Sequence, residues 1–120
     1  YITREEKDII DVLKQHSTNK TLIIADGDGE KIIPYLATVY TAAYPWLGHS
    51  YTTPFVEKKR ESYNLFIKNG TIDPAWANRE VIFIFSKDSE SEIKRSSSLP
   101  FPSHTLIETL SYKVMAARIP

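Results

Sequence analysis

Two aspartates one residue apart, Asp26 and Asp28, stand in the run Thr21 to Glu30 (TLIIADGDGE), each followed by a glycine. Carboxylates at that spacing can share a hard cation such as Mg²⁺, which takes oxygen ligands and keeps several of its waters. A magnesium site of that kind would serve phosphoryl transfer or phosphate binding. Asp and Gly are also ordinary turn formers. A tight turn leaving a strand is the simpler account of so short a motif.

Other residues could carry chemistry or binding. Ser86 and Lys87 follow a second apolar run, Val81 to Phe85, and are the candidates to assist Asp26 and Asp28. Tyr44, Trp46, Tyr51 and Phe55 cluster around an aromatic connector, PWLGHSYTTP. Tyr and Trp are favoured at interfaces, where an apolar body and a polar tip both help, so these four are the candidate ligand- or partner-binding residues. Aromatics at helical spacing also read as core. His16, His49 and His104 share no ligand spacing and read as surface or partly buried histidines. Lys87 to Ser98 (KDSESEIKRSSS) reads as a loop or flexible arm, and Lys94 to Ser98 within it as a solvated stretch.

The elements that must position these residues follow from the apolar pattern. Leu22 to Ala25 and Val81 to Phe85 are continuous apolar runs without polar alternation, the mark of strands covered on both faces. Thr3-Arg4-Glu5-Glu6 is a capping box. Ile9, Ile10 and Leu13 follow at helical spacing, predicting a helix over 4–15. Pro34 opens a second predicted helix, to about Tyr44. Thr53 and Pro54 start a third, which Asn69-Gly70 stops. Asp73 caps a short turn at Pro74 to Trp76. Ser103 is expected to cap a last helix to about Ala117, with Leu106, Ile107, Leu110 and Val114 on its apolar face.

The expected fold is therefore α/β: a small helix-covered sheet with at least two buried strands, 21–25 and 81–85, and about four helices. Helical crossovers between the two strands imply parallel pairing. Two strands make a poor sheet, so further strands are expected in 48–72, in 88–102 or outside this sequence. Asp26 would lie at a strand's carboxyl end, where open α/β sheets bind ligands.

The 120 residues suffice for one compact domain, 1–120. Tyr1 at the start and an unfinished helical pattern at Met115 to Pro120 suggest a domain excised from a longer chain. Fifteen basic residues balance fifteen acidic ones, so no net charge draws the chain to nucleic acid or an anionic membrane. No apolar run approaches the roughly 18 residues of a membrane span. The absence of cysteine excludes disulfides and thiolate chemistry. It leaves the compartment open, with the cytoplasm slightly favoured.

Ile24 to Glu30 resembles the first motif of haloacid-dehalogenase-type phosphohydrolases, an apolar strand followed by Asp-x-Asp-Gly-Thr. The resemblance implies Asp26 as nucleophile, Asp28 as acid/base, Mg²⁺ as cofactor, and Ser86 as the hydroxyl at the end of a second strand. Glu30 stands where that family has Thr, and no later strand carries its second acidic pair. The same stretch is similar to the Asp-x-Asp strand end of Toprim domains, without the upstream strand ending in glutamate. An EF-hand loop is excluded, because Ile32, Pro34 and Ala37 fall where oxygen ligands belong.

Two readings result. The first is a non-catalytic α/β interaction or ligand-binding module, its partner a protein or the remainder of a parent chain. The second is a Mg²⁺-dependent phosphoryl-transfer or phosphate-binding domain using Asp26 and Asp28. The incomplete catalytic set favours the first.

Overall fold

The computed structural model describes residues 3–18, 20–25 and 60–120, together with the backbone of 55–59. Helix α1 spans Arg4–His16, strand β1 Leu22–Ala25, helix α2 Phe55–Asn69, strand β2 Glu80–Ser86, helix α3 Glu90–Ser96, strand β3 Ser103–Glu108 and strand β4 Tyr112–Arg118. A 3-10 turn, Pro74–Trp76, precedes β2. The strands form one sheet in the order β1-β2-β4-β3. β1 and β2 run parallel, with Ala25 beside Ile84. β4 pairs antiparallel with both β2 and β3.

The capping box forms as predicted. The Thr3 hydroxyl oxygen accepts the Glu6 N–H at 3.1 Å, and the hydroxyl donates to the Glu6 carboxylate at 2.9 Å. The helix then lays Ile9, Ile10 and Leu13 on one face of the sheet, against Ile23, Ile82, Ile84 and Val114. It ends at Ser17, whose N–H and hydroxyl both donate to the Leu13 carbonyl. The opposite face is aromatic. Phe66 of α2 stacks on Phe83 of β2 at 5.2 Å, Phe83 stacks on Phe85 and Phe101, and Trp76 meets Phe66 and Phe83 edge-on. Both apolar runs are thus strands buried on two faces: Ile23 and Ile82 lie under α1, while Ile24 and Phe83 lie among the aromatics.

Gly70 ends α2 with φ of +72°. Its N–H donates to the Phe66 carbonyl at 2.9 Å, so it stops the helix as the sequence predicts. Arg95 of α3 finishes the same helix end, its guanidinium donating to the Ile67 carbonyl at 3.3 Å. The Asp73 cap also forms, accepting the Ala75 N–H at 2.9 Å.

Three expectations are corrected. Residues 103–117 are a β-hairpin, not a helix. Tyr112, Val114 and Ala116 face the α1 side while Met115 and Ala117 face the aromatics, a period of two that the helical spacing of Leu106, Leu110 and Val114 masks. Among the described residues the extra strands therefore lie in 103–118, whereas 60–69 is helical and 88–102 holds no strand; 48–54 lies outside the described residues. Residues 87–98 are not a loose arm. Ser89 caps α3 by accepting the Glu92 N–H, with Glu90 and Glu92 in the first turn and Lys94 and Arg95 in the last. Three α-helices lie among the described residues; the helix expected from Pro34 to Tyr44 lies outside them.

Candidate functional site

The parallel pairing of β1 and β2 fixes one candidate region. The chain leaves β1 at Ala25, beside Ile84, and β2 ends two residues later at Ser86, so both strands present their carboxyl ends together. Asp26 and Asp28 lie outside the described residues. Ser86 and Lys87 are described, and both are engaged in local structure. Ser86 is buried. Its hydroxyl accepts the Asp88 N–H at 3.2 Å, and its N–H donates to the Glu92 carboxylate at 3.3 Å. The same Glu92 oxygen accepts the Tyr63 hydroxyl, so one carboxylate ties α2, β2 and α3 together.

Lys87 turns toward β4. Its N–H donates to the Ser111 carbonyl at 2.8 Å and its ammonium to the Thr109 carbonyl at 2.7 Å. An ion pair with Glu108 at 2.6 Å completes its surroundings. The hydrogen bond and charge of Lys87 hold the Glu108 carboxyl below its ordinary value. Nearby, burial raises the Glu5 carboxyl, but hydrogen bonds from Thr109 and Ser111 and the charge of Lys87 outweigh it and leave a lowered pKa. The end of the hairpin is thus a polar junction between α1, β2 and the β3–β4 turn.

Tyr44, Trp46 and Tyr51 lie outside the described residues, and so does the side chain of Phe55, which opens α2.

The sheet's other end holds a feature that sequence spacing did not show. A cavity of about 380 Å³ opens on the α1 side where β2 begins. His16, at the end of α1, and His104, on β3, both line it. Its floor comes from adjacent strands: Ile82, Ala116 and His104 lie in one cross-strand row. Leu106 adds apolar surface, and Glu80 and Arg118, paired across β2 and β4, stand at the edge. Only the hairpin brings His104 to the side of the sheet where α1 ends, so a helical reading of 103–117 could not find it. No group of three or more His, Cys, Asp or Glu residues among the described residues could hold a metal ion. No described helix is long and apolar enough to cross a membrane.

Comparison with protein-family models, with curated proteins and with solved structures finds no significant match to this chain.

Proposed function

We propose that this chain is a non-catalytic α/β module that acts by binding a ligand or a protein partner. The observation that carries this reading is the commitment of Lys87. A phosphoryl-transfer site at the carboxyl ends of β1 and β2 would draw on the Ser86 hydroxyl and a cation beside it. Here the Ser86 hydroxyl oxygen accepts the Asp88 N–H and keeps its own O–H, but the nearby ammonium is held between Glu108 and the Thr109 carbonyl on the β4 side of the sheet. An ammonium–carboxylate contact with an added carbonyl acceptor is charge-assisted and is not released without cost. Tyr44, Trp46, Tyr51 and Phe55 remain the residues proposed to meet a partner.

The second reading, Mg²⁺-dependent phosphoryl transfer or phosphate binding through Asp26 and Asp28, is favoured by one observation. The parallel register puts the exit of β1 at the same end as Ser86, the arrangement in which open α/β sheets bind ligands. Hydrolysis of p-nitrophenyl phosphate and acetyl phosphate in millimolar Mg²⁺ separates the two. The binding-module reading expects equal background turnover for the native chain and an Asp26→Asn/Asp28→Asn variant. Magnesium-dependent turnover that the double variant loses would replace it with the second.

A further inference from the structure

We propose that the cavity between the end of α1 and the β3–β4 hairpin is a binding site for a small organic anion, a carboxylate carried on an apolar body. The inference refines the binding-module reading and rests on it.

The site exists because α1 covers only part of its face of the sheet. Ile9, Ile10 and Leu13 seal the region over Ile23, Ile84 and Val114. The helix stops at His16, and the sheet continues beyond it as Ile82, Ala116 and Leu106. Ala116 and Leu106 are only half-buried, so apolar surface remains open to water there. A cavity of about 380 Å³ falls within the range of small-molecule sites, which are apolar enclosures with a few placed polar groups.

The polar groups at the rim set the charge of the ligand. Arg118 is a cation and His16 and His104 offer ring N–H donors; Glu80 is the one acid among the described lining residues. Glu80 and Arg118 approach only to 3.9 Å, with side chains 63% and 64% exposed. An exposed pair of that kind is weak. The guanidinium therefore keeps its planar fork of donors for a better partner, and a carboxylate matches that fork with two parallel hydrogen bonds. The His16 and His104 side chains and the Ser103 hydroxyl make no hydrogen bond among the described residues, leaving further donors beside the same opening. A cationic ligand would find Glu80 as its one anionic partner, with Arg118 beside it, and a neutral apolar ligand would leave the donors of Arg118, His16, His104 and Ser103 unused.

The test is titration of the ¹⁵N-labelled native chain with 4-phenylbutyrate and with octanoate, each compared with its neutral primary amide, followed by amide chemical shifts. Saturable shifts are expected at residues 80–82, 103–106 and 116–118 with at least one carboxylate. The matching amide should bind at least fivefold more weakly. Arg118→Gln should weaken the carboxylate at least fivefold while the shifts of the α2 and Phe83 core stay in place, since Arg118 is exposed at the end of β4. An Ala116→Glu variant, which puts a like charge on the floor, should abolish binding. No saturable shift at those residues with either acid, equal affinity for acid and amide, or undiminished binding by Arg118→Gln would overturn the proposal. Magnesium-dependent hydrolysis, by contrast, would remove the binding-module reading whatever this titration shows, so the two failures are distinct.

Discussion

Replacing Glu5 with Gln should destabilise the protein at neutral pH and leave it unchanged in acid. One Glu5 carboxylate oxygen accepts the Ser111 N–H at 2.6 Å, joining the first turn of α1 to the tip of the β3–β4 hairpin across nearly the whole chain. A hydrogen bond to a charged group contributes about 1.5–3 kcal/mol. Glu5 is only half-buried, and solvent screening brings the expected loss to about 1 kcal/mol. For 120 residues the unfolding entropy near the midpoint is roughly 0.25 kcal/mol/K, so Tm should fall by about 4 °C. The sign of the pH dependence follows from the lowered native pKa. The stabilisation is fully present above the ordinary glutamate range and is lost as pH falls through the lowered native value. Gln resembles the protonated acid, so the gap between the two chains should close over that interval. Urea unfolding followed by circular dichroism at about pH 7, 5 and 3 measures it. A variant as stable as the native chain at pH 7, or a gap that does not change with pH, would refute the reasoning and the hairpin placement behind it.

Gly70→Ala should cost about 1 kcal/mol in urea unfolding, because φ of +72° strains an L side chain. The added Cβ would meet the end of the Arg95 side chain at 3.1 Å, a contact that side chain can yield, so a loss well above 3 kcal/mol would contradict this account. Phe83→Ala should cost about 3–5 kcal/mol in the same assay, since Phe83 is fully buried and stacks on three other phenylalanines. A loss under 1 kcal/mol would mean that the aromatic face is not the second core.

Much of the fold was legible in the sequence. The runs Leu22 to Ala25 and Val81 to Phe85 are apolar at every position because each strand is covered on two faces, and a strand open to water on one side would have alternated. Helix α1 carried its own start signal in Thr3 and Glu6. The hairpin was hidden for a physical reason. Its turn contains no Gly, Asn or Pro; instead the Thr109 hydroxyl accepts the Tyr112 N–H at 3.0 Å, and the Thr109 N–H donates to the Tyr112 carbonyl at 2.8 Å. Without a turn signal, the helical spacing of Leu106, Leu110 and Val114 dominated. Helix α3 was obscured by its serines, although Ser89 and Glu92 stand at capping-box spacing.

The candidate sites divide along the same line. Ser86 was legible as the end of β2, because the apolar run stops there. The engagement of Lys87 with Glu108 was not, because it depends on the hairpin. The cavity carrying His16 and His104 depends on both the length of α1 and the strand register, so no local spacing could announce it.

Thermal unfolding with and without millimolar Mg²⁺, on the native chain and on the Asp26→Asn/Asp28→Asn variant, tests the central claim most directly. A ligand that binds only the folded state at tenfold its Kd adds about 1.4 kcal/mol, a rise of roughly 6 °C for a chain of this size. The binding-module account predicts the same midpoint with and without Mg²⁺ in both proteins. A magnesium-dependent rise in the native chain that the double variant loses would contradict it and place a cation at the carboxyl end of β1.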